Sequence, residues 1–139
     1  MVDSITRERR SWNMSRIKGR NTAPEMRLRS LLHRAGFRFR LHAKELPGRP
    51  DIILPKYRTA IFVHGCFWHR HPGCRNATMP STRAEFWRAK FASNVSRDER
   101  NQAALQAAGW TVFTVWECEL KRDALGVVDR LSHDIREVS

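Results

Sequence analysis

Apolar residues recur with a helical period in some stretches, alternate with polar ones in others and run together in one, and these changes of period divide the chain into elements. Thr22-Ala23-Pro24-Glu25 opens a helix, with Thr22 as N-cap, Pro24 in the first turn and Glu25 in the capping-box position. Leu28, Leu31, Leu32 and Ala35 then share one face, and Gly36 ends the helix. Residues 37–42 alternate apolar and basic side chains, which predicts a half-exposed strand, and residues 46–50 form a turn-rich connector. Residues 51–54, the turn 55–58 and residues 59–64 read as a β-hairpin, with Asp51 starting one arm and His64 ending the other. In an antiparallel pair those two ends are neighbours.

A long helix is expected over residues 83–108, closed by Gly109, with Phe91, Val95, Asp98, Gln102 and Leu105 on one face. Asp98 is the odd member of that stripe, because a carboxylate facing inward needs a partner. Residues 110–116 predict a buried central strand that delivers Cys118 at its end, and residues 121–137 a last amphipathic helix through Ala124, Val128, Leu131 and Ile135. Helix, three strands, helix, strand, helix is a mixed α/β order: a small central sheet flanked by helices, with the hairpin beside the 110–116 strand. Residues 1–20 hold a thin apolar set (Trp12, Met14, Ile17) among six Arg and Lys and are expected to be a basic arm that orders on phosphate.

Composition narrows the partner. The 139 residues suit a single domain, and 26 Lys and Arg against 14 Asp and Glu give a formal charge of +12. That excess favours a polyanion, nucleic acid above all. Neither a signal peptide nor a membrane span is expected, and three cysteines cannot all pair, so the expected compartment is a reduced cytoplasm where clustered Cys and His are metal ligands.

The chemistry concentrates in residues 61–75. Cys66, His71 and Cys74 lie close in sequence and, with the distant Cys118, make a closed tetrahedral zinc set that ties loops together and leaves no open catalytic position. His64 and His69 fall outside that set and are candidate general bases. Asp51 beside His64 is a candidate site for a divalent metal and proton transfer, and a histidine from the metal loop would supply the partner that Asp98 needs. Phe67 and Trp68 are a pair of aromatics on a loop between metal ligands, an arrangement that favours a ligand over ordinary packing. Glu25 by itself reads as the capping-box acid.

These segments resemble the Vsr family of very short patch mismatch-repair endonucleases, which have a restriction-endonuclease-like fold. The resemblance rests on Leu46-Pro-Gly-Arg-Pro-Asp51, Ile61-Phe-Val-His-Gly-Cys-Phe-Trp-His69, Arg83-Ala-Glu-Phe-Trp87 and Val115-Trp-Glu-Cys118, and it runs in matching order from Ser11 to Arg122. It implies a bacterial, nucleoid-associated enzyme that nicks duplex DNA 5′ of the thymine in a T·G mismatch, the product of 5-methylcytosine deamination, using Mg²⁺. It divides the chain into the arm, 1–20, and a nuclease domain, 21–139. It implies Mg²⁺ on Asp51 and the Val63 backbone carbonyl, His69 as the base oriented by Asp98, and His64 and Glu25 as accessory catalytic residues. It matches Cys66, His71, Cys74 and Cys118 to structural zinc ligands, and Phe67, Trp68 and Trp87 to aromatics that wedge into the base stack. Family analogy adds a MutL-type mismatch-repair ATPase as a partner, and a single active centre suggests a monomer on DNA.

Broader relatives of that fold carry a second acid and a lysine after the first Asp, where residues 63–65 here read Val-His-Gly. The two residues between His71 and Cys74 mark a further departure, since related loops vary there. A zinc-stapled DNA-binding module without catalysis accounts for the charge, aromatics and cysteines but leaves Asp51, His69 and Asp98 unexplained. A ribosome-associated structural protein accounts for the charge alone.

Overall fold

The computed structural model describes residues 22–137; the basic arm expected over residues 1–20 lies outside them. The elements are α1 (Ala23–Arg34), β1 (Arg40–Leu41), β2 (Ile52–Leu54), a 3-10 turn (Pro55–Tyr57), β3 (Thr59–His64), α2 (Ala84–Ala107), β4 (Thr111–Trp116) and α3 (Glu117–Glu137). The sheet has the order β1-β2-β3-β4. β1, β2 and β3 are successively antiparallel, and β4 joins β3 in parallel after the crossover through α2.

Alternation along the strands assigns each face its cover. Ile52, Leu54, Ile61 and Val115 point toward α1 and α3 and join Leu28, Leu32, Leu131 and Ile135 in one buried cluster. Ile53, Ala60 and Phe62 point the other way and meet Leu105 of α2. Each fully buried Leu or Ile in these layers contributes about 1.5–3 kcal/mol by leaving water. Burial on both faces explains why β2 and β3 read as apolar runs and show no alternation.

The turn between β2 and β3 holds Arg58 in the left-handed region (φ 48°). Its guanidinium donates to the Ala108 carbonyl at 3.0 Å and lies 4.8 Å from the Trp110 ring centroid, tying the hairpin tip to the end of α2.

Three expectations change. The strand over 37–42 shrinks to Arg40–Leu41, because Phe37 turns into the core and His42 adopts φ 49°. The 110–116 strand lies at the edge of the sheet: β3 already pairs with β2 on one side, so β4 takes the other and only Val115 of it is fully buried. Its apolar character reflects cover by helices, which an edge strand of a crossover unit also receives. The last helix starts at Glu117 and is broken at Asp123 (φ −158°, ψ 77°), whose carboxylate accepts from the Gly126 N–H at 3.1 Å and so caps the longer second segment.

Candidate active site

The parallel pairing of β3 with β4 brings His64 opposite Trp116, so the loops that leave both strands start side by side. Residues 65–75 follow β3, and α3 follows β4 directly, which carries Cys118 to that loop. Asp51 sits where β2 begins, next to the end of β3, as the hairpin predicts. Its Oδ2 accepts from the Val63 N–H at 2.7 Å.

Asp51 is half-buried. Burial pushes its carboxyl up to about 7, Glu25 adds to the rise, and the Val63 N–H opposes it. Glu25 is 2% exposed. Thr22 caps α1 as expected, accepting from the Glu25 N–H at 3.3 Å. The Glu25 carboxylate, however, pairs with Arg29 and lies 3.5 Å from His42 Nε2, turned toward Asp51. Ligand atoms of Glu25, His42 and Asp51 lie within 4.8 Å of one another. Two carboxylates this close, one of them held far above its ordinary range, fit a hard divalent cation, which would relieve both their repulsion and their desolvation.

On the other side of Asp51, His69 Nδ1 is 2.6 Å from Asp98 Oδ2, so the metal loop supplies the partner expected for the inward carboxylate of α2. Against the upward push of burial, the bond from His69 and its charge hold the Asp98 carboxyl below its usual range. An ionised Asp98 fixes the Nδ1–H tautomer of His69 and leaves Nε2 with its lone pair. The His64 ring stacks on His69 at 3.9 Å and 6°. Burial, reinforced by His69, lowers His64 to about 3, so a proton taken by His69 meets a neutral neighbour.

Cys66, His71, Cys74 and Cys118 converge with their ligand atoms within 4.8 Å, and Cys118 Sγ is 3.4 Å from His71 Nδ1. Burial pushes the Cys66 thiol up to about 12, while the Asn76 N–H holds Cys74 below the usual range. Three sulfurs and one imidazole suit a tetrahedral thiophilic cation such as zinc, which would convert the thiols to thiolates. Trp116 joins this cluster to the histidines: His71 stacks on its ring at 4.3 Å and His64 meets it edge-on at 5.3 Å.

Phe67 packs edge-on against Trp68, Trp87 and Phe91, and all but Phe91 keep part of their surface open. Arg70 holds this group to the loop. Its guanidinium donates to the carbonyls of Phe67, Ala77 and Thr78 at 2.9–3.1 Å and covers the Phe91 ring at 3.9 Å. Asn94, 5% exposed, donates to the Trp68 carbonyl at 3.2 Å and clamps the loop to α2. Two cavities, about 310 and 430 Å³, flank the centre, and Asp51, Val63 and His69 border both.

Sequence reasoning missed four of these residues. Asn94 lies three residues after Phe91 and four before Asp98, so the helical stripe itself carried the signal. His42, Arg70 and Trp116 carried none, since their roles arise from loops and strand pairing.

Carboxylates around a cation-fitting pocket, a carboxylate-oriented histidine and a rim of aromatics on a basic domain define a hydrolase of a polyanionic substrate. The family model for the DNA mismatch endonuclease Vsr matches residues 2–75. The type II nicking enzyme V.XorIIP of Xanthomonas oryzae is 52% identical over 120 residues, 86% of this chain and 88% of its own. The DNA mismatch endonuclease Vsr of Escherichia coli K12 is 49% identical over 87% of this chain and 77% of its own, and the type II nicking enzyme V.NmeAIP of Neisseria meningitidis is 41% identical over 99% and 97%. The chain belongs to the Vsr family of DNA mismatch endonucleases and is a DNA-cleaving hydrolase. No helix among the described residues is long and apolar enough to cross a membrane.

Proposed function

We propose that the protein nicks duplex DNA 5′ of the thymine in a T·G mismatch by Mg²⁺-dependent phosphodiester hydrolysis, on a restriction-endonuclease-like fold. The observation that carries this reading is the Asp98–His69 pair aimed beside the half-buried Asp51, with aromatic rings around the same cleft. Asp51 would hold the Mg²⁺ with the Val63 carbonyl, and Glu25 and His64 would be accessory. A bound Mg²⁺ supplies charge neutralisation at the phosphate. His69, kept in the Nδ1–H tautomer by Asp98, accepts the proton of the attacking water at Nε2. Neutral His64 lets that charge form without a like neighbour. Phe67, Trp68 and Trp87 enter the base stack, where the unstacking cost is least at a mismatch. The cluster of Cys66, His71, Cys74 and Cys118 holds structural zinc and fixes the loop that bears His69. The protein acts as a monomer in the bacterial cytoplasm, at the nucleoid, where a MutL-type ATPase recruits it.

Single-turnover nicking of a T·G duplex against its T·A counterpart, with and without Mg²⁺, tests the reading. A strand cut that requires both the mismatch and the cation is expected. Tight T·G binding with no cut would favour a zinc-stapled DNA-binding module.

A further inference from the structure

The smaller cavity poses a charge problem. Glu25, Asp51 and Glu117 all line it, yet its ligand is an anionic phosphodiester on the reading above. β3 brings no lysine or arginine to the site, because its end and the residue after it read Val63-His64-Gly65. Among the described residues that line this cavity, Lys121 is the one lysine or arginine.

The backbone explains why it is there. α3 starts immediately beyond β4, whose end lies beside the end of β3, so the first turns of α3 form a wall of the cavity. Glu117 and Lys121 are at i and i+4 of that helix and share a face, and Cys118 beside them reaches the thiol–imidazole cluster. The helix carrying Lys121 is therefore held by the metal loop. Lys121 is exposed, and it forms no ion pair among the described residues, with Glu117 or any other carboxylate.

We infer that Lys121 binds a phosphate of the cleaved DNA strand in this cavity, supplying from α3 the positive charge that β3 lacks. The inference rests on the nuclease reading and deepens it. An ammonium on a flexible stem reaches a phosphate as a point charge and does not need fixed geometry.

The test uses Lys121→Met and Lys121→Arg in the full chain, with thermal melting and metal content as checks on folding. Single-turnover nicking of a T·G duplex should fall about 100-fold in Lys121→Met, and Lys121→Arg should recover most of it. Binding is then measured on duplexes in which one phosphate at a time near the cut is a neutral methylphosphonate. One position should weaken the wild type and leave Lys121→Met unaffected, and the salt slope of Lys121→Met should drop by about one. Wild-type nicking by Lys121→Met, or equal losses in both proteins at every methylphosphonate, would overturn the inference. A wild-type protein that cuts no T·G duplex overturns the nuclease reading instead, and the methylphosphonate comparison still decides whether Lys121 meets phosphate.

Discussion

Asp51 is the residue on which competing demands meet. A carboxyl pushed up to about 7 binds a proton in neutral buffer unless a cation displaces it. Nicking should therefore rise with pH through about 7 at low Mg²⁺, and the inflection should move to lower pH as Mg²⁺ is raised, because the cation competes with the proton. A pH–rate series at several Mg²⁺ concentrations checks this; an inflection that ignores Mg²⁺ would remove Asp51 from cation binding. Asp51→Asn should lower nicking about 10³-fold or more while DNA binding is kept or tightened. The same substitution has a sign in stability. The folded carboxyl lies above its ordinary 3.8, so its contribution is fully present below pH 4 and lost as pH rises through 7. In Mg²⁺-free buffer with zinc retained, Asp51→Asn should thus raise the melting temperature at pH 8 and do little at pH 4. Asp51, His69 and Asp98 were legible in sequence because an inward acid and a strand-end acid are anomalies in a local pattern. For Glu25 the residues alone favour the cap and only the family resemblance puts it at the site: the capping-box position offers its carboxylate a local use, and its burial between Arg29 and His42 depends on a loop that no periodicity describes.

At the level of elements, strands and helices that bury a periodic face were legible, and junctions were not. α1 and α2 lie within a residue or two of their expected limits, whereas α3 begins four residues early, since Cys118 reads as the end of a strand until Asp123 is seen to start a second helical segment. That short first segment carries Cys118 to the thiol–imidazole cluster. Structural zinc sites contribute on the order of 10 kcal/mol, so Cys118→Ala should abolish the cooperative melt or cause aggregation. Retention of both the melt and full metal content would remove Cys118 from the ligand set. Arg70 sets a smaller test within the loop. Losing three carbonyl partners and the Phe91 face should cost about 3 kcal/mol in Arg70→Ala, and Arg70→Lys should recover little, because an ammonium lacks the planar fork. Chemical denaturation of the two variants measures both.

On the scale of the whole molecule, charge and shape divide the work of recognition. On the proposed function, the formal charge of +12 supplies affinity for any duplex and makes it salt-dependent, while discrimination would fall to the aromatic rim. Phe67→Ala with Trp68→Ala should reduce preference for T·G over T·A duplexes and leave the salt slope unchanged; equal losses on both would assign the rings to packing. The layered α/β arrangement was legible from the order of elements, but the place of β4 was not, because an apolar strand gives its burial and not its neighbours. That place matters: as the parallel partner of β3, β4 lets one corner of the sheet hold both metal-fitting clusters.

The sharing of one loop by His69 and three of the four thiol–imidazole ligands has a kinetic consequence. His69 lies between Cys66 and His71, so on the proposed function a molecule stripped of zinc should lose the ordered base, whatever its supply of Mg²⁺. Zinc occupancy should then set the amplitude of a nicking burst, the fraction of molecules able to react at all, while Mg²⁺ sets the rate constant of that fraction. A partly stripped preparation titrated with Mg²⁺ should reach the full rate constant at a plateau below one cut per protein, and burst size becomes a count of intact loops.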